Sequence, residues 1–183
     1  MRELVVLTEE PSAKDLLQGL LPRLLPDGWS FRCLSFEGKQ DLEKRMGRTL
    51  RAWQNPEARF VVLRDQDSGD CRTIKAGLLD RCLAVGRHGV LVRIACRELE
   101  SWILGDLQAF AVEFSVPAAA RAAAKAKYRD PDQLGSPVQE LRNFAPDYQK
   151  RDGARRMGLR LTPDRNNSQS FCVFCAGIGN VVA

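Results

Sequence analysis

Apolar positions along this chain switch between two spacings. Short runs of consecutive or alternating apolar residues at 4–7, 29–36, 60–63 and 90–95, several of them β-branched or aromatic, predict strands. Between these runs the spacing lengthens to three and four. Leu16, Leu17, Leu20, Leu21 and Leu24 make one helical stripe, with Ser12 as its expected N-cap and Pro22 expected to end or bend the helix near Leu21. Leu42, Met46, Leu50 and Trp53 make a second over 41–53. Ile74, Leu78, Leu79, Cys82 and Leu83 make a third over 73–85, and Leu99, Trp102, Ile103 and Leu107 a fourth over 98–110. Strand and helix alternating in this way predict an α/β fold. Its centre is a Rossmann-like, mainly parallel sheet of about four strands with helices on both faces.

The texture changes after residue 114. Pro117 and the alanine-rich stretch 118–126 predict a short helix, residues 138–144 another, and Ser168 or Ser170 is placed to cap a last one. No internal repeat or low-complexity linker is present. The expected organisation is an α/β core over 1–115 and a helical C-terminal extension over 116–183 packed on that core.

In open parallel sheets, sites form just beyond the C-terminal ends of the strands. Three acidic clusters fall there: Glu9-Glu10 after the first strand, Asp65-Gln66-Asp67 after the third, and Glu98-Leu99-Glu100 after the fourth. Side chains in a strand repeat with period two, so Asp65 and Asp67 are expected to leave the third strand on one side. Two carboxylates held close repel unless a cation separates them, and oxygen ligands of this kind suit Mg²⁺ or Mn²⁺. Alternatively the aspartates cap the next helix. Glu98 and Glu100 diverge by about 200° if a helix begins at Glu98, so only one would reach the site; if the strand runs on, both would. Helix-dipole complementation is the other reading of Glu98.

Composition changes this picture little. Of the 183 residues, 44% are hydrophobic and 28% charged, as in ordinary globular proteins. No apolar run reaches the ~20 residues that cross a bilayer, and the start resembles no signal peptide, so no membrane partner and a cytoplasmic location are expected. The six cysteines are then thiols; Cys172 and Cys175, the one C-x-x-C pair, lie in an apolar stretch and read as buried rather than zinc-binding. His88 is the single histidine, which leaves little for a histidine relay. The net charge of +5 resides wholly in 121–165, where 11 Lys/Arg face 6 Asp/Glu. A basic patch there suits DNA or RNA, and a solvated helical surface is the alternative. A Rossmann-like nucleotide binder lacks support, for want of G-x-G-x-x-G or G-x-x-x-x-G-K-[ST] after any strand.

A glutamate after the first strand and D-x-D after a later one resembles the Toprim superfamily, which includes topoisomerases, primases and OLD-type nucleases. The chain as a whole is similar to a small bacterial Toprim-like family known as domain-of-unknown-function family 4276. The matching stretches are Thr8-Glu9-Glu10-Pro11-Ser12, Glu37-Gly38-Lys39, Arg64-Asp65-Gln66-Asp67, the run from Cys96 to Asp106, Tyr148-Gln149-Lys150 and Asn167-Ser168-Gln169-Ser170-Phe171. Glu9 takes the place of the family's glutamate, and Glu10 stands where glycine is common.

That resemblance implies a Mg²⁺- or Mn²⁺-dependent nuclease, or another phosphodiester-processing protein. Glu9 and Lys150 would be catalytic. Asp65, Asp67, Glu98 and Glu100 would hold metal, with Lys39, Arg64, Arg97 and Arg165 on nucleic acid or phosphate. Lys39 is otherwise a plain turn lysine. Proteins resembling this one are often encoded beside AAA-type ATPases in arrangements suggestive of phage defence. An AAA-type ATPase is therefore an expected partner, and a homo-oligomer is left open. The competing expectation is a non-catalytic module that keeps the Toprim fold and binds nucleic acid or the ATPase.

Overall fold

A computed structural model describes residues 1–183. Four parallel strands, β1 (Glu3–Thr8), β2 (Ser30–Ser35), β3 (Ala58–Asp65) and β4 (Leu91–Ala95), lie in the order β2-β1-β3-β4. Every residue of β1 is buried, as expected of a central strand covered on both faces. Period two divides that strand between two cores. Leu4 and Val6 join a cluster of 31 buried residues on one face, while Val5 and Leu7 join a cluster of 14 on the other.

Two helices cover the smaller core: α2 (Lys39–Ala52), through Leu42, Met46 and Leu50, and α3 (Cys71–Leu83), through Leu78 and Cys82. Leu83, expected to face inward, is 51% exposed. The larger core lies under α1 (Pro11–Leu24), α4 (Glu100–Leu104), α5 (Leu107–Glu113), α6 (Pro117–Ala122), α7 (Pro137–Phe144), α8 (Lys150–Gly158) and α9 (Gln169–Val182). It draws on residues from Leu4 to Val182, so the C-terminal third completes one face of the sheet.

Four departures from the expected elements have identifiable physical causes. α1 starts one residue earlier than its predicted cap: Pro11 sits at the first helical position and Glu10 takes the cap position, while Ser12 Oγ donates to Glu10 Oε1. Pro22 does not stop α1, which runs to Leu24 with the Leu25 amide still donating to the Leu21 carbonyl. The helix expected over 98–110 is two. The chain breaks at Gly105, where a Cβ would stand 1.9 Å from Asn166 Oδ1, and Asp106 caps α5 by accepting from the Ala109 amide.

The fourth departure is α8, which the apolar pattern does not announce because its buried face is Gly153, Ala154, Met157 and Gly158. Small residues let it lie backbone to backbone on α1. A Cβ at Gly19 would stand 2.8 Å from the Gly158 carbonyl carbon, and one at Gly158 only 2.2 Å from the Leu16 oxygen. Arg23 then satisfies two carbonyls at the C-terminal end of α8, Gly158 at 3.0 Å and Leu161 at 2.8 Å. The contact fixes the other end of α8, and with it Lys150, beside the start of α1.

Candidate active site

Glu10 precedes α1 just beyond β1, Asp65 ends β3, Glu100 opens α4 after β4, and Lys150 opens α8. These four converge. Lys150 Nζ lies 3.0 Å from Glu10 Oε1 and 3.7 Å from Glu100 Oε2. Glu100 is fully buried, and neither of its carboxylate oxygens has a hydrogen-bond partner. Burial pushes its pKa up to about 7, with the Lys150 charge acting the other way. Asp65 is held well above the usual carboxylate range by burial and then by the charges of Glu10, Glu100 and Glu9. Burial works against the Lys150 charge, yet Glu100 and Glu10 outweigh it and raise the ammonium's pKa.

A second group adjoins the first. Glu9 Oε2 accepts from the Asp65 amide at 3.2 Å and lies 3.7 Å from Arg64 Nε. Burial, then the Asp67 charge, raises the Glu9 pKa. Asp67 pairs with Lys39 at 3.1 Å. The period-two expectation for Asp65 and Asp67 fails because the strand ends at Asp65. Gln66 donates its amide to Ala95, Asp67 donates to the Arg97 carbonyl, and Asp67 adopts a left-handed φ of 54°. The two aspartates therefore have different neighbours: Asp65 stands with Glu10, Glu100 and Lys150, Asp67 with Glu9 and Lys39.

Other candidates are placed less centrally. Glu98 is half-buried with one unpartnered oxygen, and its charge contributes to raising the Glu100 pKa. Arg97 is held at a φ of 64°, its amide donating to Gln66 Oε1. Arg64 is already engaged, 2.6 Å from Glu43, which also pairs with Arg81. Arg165 lies apart, paired with Asp106 at 3.4 Å. Glu10, for which sequence reasoning favoured Glu9, is brought in by the Pro11 that follows it, since proline at the first helical position leaves Glu10 at the helix entrance.

The donors suit a hard cation: they are all oxygens, and two of them are buried without partners. They do not form a closed cage, because no three His, Cys, Asp or Glu side chains stand close enough to hold a metal ion. Residues 8–178 match the family model described as a domain of unknown function, DUF4276. The chain belongs to that family. Among solved structures, this DUF4276 chain is similar to the C-terminal region of the Burkholderia pseudomallei OLD protein, at a TM-score of 0.51 and 18% identity over 98% of each chain. At that identity the likeness speaks for the fold: α/β, with a four-stranded parallel sheet. None of the curated proteins matches the chain. No helix of the DUF4276 chain is long and apolar enough to cross a membrane.

The basic surplus of this DUF4276 chain is largely consumed inside the protein. Lys127, Lys150, Arg151, Arg155, Arg156, Arg160 and Arg165 each pair with a carboxylate, which leaves Arg121, Lys125, Arg129 and Arg142 exposed without one. A cavity of about 430 Å³ lies away from the acid cluster, on the open edge of β4 between Lys75 of α3 and Val173 of α9.

Stability should follow the buried carboxylates. Glu100 binds its proton more tightly in the folded chain, so between an ordinary 4.5 and about 7 the folded state carries more protons than the unfolded one. Metal-free stability is therefore expected to fall as pH rises through that window, by roughly 3 kcal/mol from Glu100. Urea midpoints measured across it should flatten in Glu100→Gln. An unchanged slope in that variant would refute the assignment.

Proposed function

We propose that this chain is a Mg²⁺- or Mn²⁺-dependent phosphodiester-processing protein of the Toprim, OLD-like type, acting as a nuclease on DNA or RNA. What carries the reading is Glu100, a fully buried glutamate with two unpartnered oxygens, set beside Asp65 and Glu10 at the C-terminal ends of the strands. A buried carboxylate without partners is costly and is retained where it serves chemistry. Glu10, Asp65 and Glu100 would hold the ion, with Asp67 and Glu98 at its margins. A bound divalent ion supplies a water of lowered pKa and neutralises charge building on phosphate.

The remaining roles belong to the chain's own residues. Glu9 is hydrogen-bonded to the Asp65 amide and biased toward its protonated form, so it is placed to give or take a proton. Lys150 is a point charge for phosphate, and Lys39, beside Asp67, is a second. Arg97, next to Glu98, is proposed to reach phosphate from the same loop. A cytoplasmic role in phage defence beside an AAA-type ATPase extends this reading from the resemblance.

The test is cleavage of plasmid, linear duplex, single-stranded DNA and RNA with Mg²⁺ or Mn²⁺ added. Cleavage that a chelator abolishes is the expected result. Intact substrates throughout, together with no Mn²⁺ binding by calorimetry, would sink the enzyme reading. A second reading has one observation in its favour: no three carboxylates are gathered around a point. On that reading the chain is a non-catalytic effector that binds nucleic acid or the ATPase, and it would co-purify with the ATPase free of metal.

A further inference from the structure

We propose that Lys150 is the resident counter-cation of the acid cluster, and that a divalent ion reaches Asp65 and Glu100 only as the Lys150 ammonium leaves Glu10 and Glu100. This rests on the reading of the cluster as a metal site. The geometry argues for it in three ways. Lys150 Nζ stands between the two glutamates, at 3.0 and 3.7 Å. An ammonium and a divalent ion cannot share a pocket of that size without strong repulsion. The hold on Glu100 is also incomplete: at 3.7 Å it is an ion pair with no hydrogen bond, and both Glu100 oxygens still lack a hydrogen-bond partner.

Position and exposure supply the rest. Lys150 occupies the first position of α8, where the helix dipole disfavours a cation, so the acids hold it there against the local field. Its side chain is 34% exposed, whereas Glu100 is sealed, so the ammonium has a route outward on its four-carbon stem while the carboxylate stays. The absence of a gathered three-carboxylate cage follows from the same arrangement, because Glu10 is turned toward Lys150 and Ser12. Once out, the ammonium stands at the rim of the site, ready for a phosphate.

Mn²⁺ alone is the probe. Calorimetric titration of the wild type and Lys150→Met, at one pH and ionic strength, is expected to show the variant binding about tenfold more tightly, equivalent to ~1.4 kcal/mol. Equal or weaker affinity in the variant would overturn the counter-cation role and leave the metal reading standing. If neither protein binds Mn²⁺, both fall. The wild type gives an independent readout: acetylation of Lys150 followed by peptide mass spectrometry. Labelling of Lys150 should rise several-fold when Mn²⁺ saturates the protein, with the exposed Lys44 unchanged as reference. Mn²⁺ binding with Lys150 labelling unchanged or reduced would refute displacement.

Discussion

Asp65→Asn is expected to lower metal-supported cleavage by roughly 10²-fold or more, the scale of losing one group that stabilises developing charge, while the metal-free protein melts at a higher temperature than the wild type. The two effects have one origin. Asp65 ends β3 almost fully buried, and the charges of Glu10, Glu100 and Glu9 all oppose its ionisation. Asparagine keeps the shape and removes the repelled charge, so the fold should gain stability at neutral pH. A gain in stability with a loss of function is the signature of a residue kept for chemistry. The paired measurement is a melting curve and a cleavage rate on the same preparation. Lost activity with a lowered melting temperature would mark Asp65 as a structural residue.

Gly158→Ala should be strongly destabilising. Alanine is the better helix former by about 1 kcal/mol, so propensity alone predicts a gain. The added Cβ would instead stand 2.2 Å from the Leu16 carbonyl oxygen, a backbone atom of α1 that cannot turn aside. Relief requires α8 to lift off α1, at a net cost of about 2–3 kcal/mol. Gly179→Ala in α9 is the control, because a Cβ there meets nothing within 4 Å. Urea denaturation of the pair should show Gly158→Ala losing stability and Gly179→Ala holding or gaining it. Equal behaviour would mean that the helices are not in backbone contact.

The sheet and its flanking helices could be read in advance because each announces itself within a short window. β1 is apolar throughout since both its faces are buried, and the stripe Leu42, Met46, Leu50 repeats at the helical interval. The acid groups at the strand ends followed from the parallel sheet. What stayed hidden depends on contacts far along the chain. α8 shows no stripe because it packs through glycine and alanine, and the break at Gly105 reflects the Asn166 side chain pressed against it. Asp67 leaves the alternation expected of it because period two holds only while the strand lasts, and β3 stops at Asp65. Lys150 enters the reading of the sequence only through the family resemblance, and the α1–α8 crossing brings it to Glu10 and Glu100.

That crossing also sets an order of events during synthesis. Glu10, Asp65 and Glu100 leave the ribosome well before Lys150, by several seconds at about 5–20 residues per second. In that interval the nascent sheet has its acids but not the cation that neutralises them, and α1 lacks the helix that covers it. Until α8 docks on α1, the acids of an unfinished chain stand without their counter-cation.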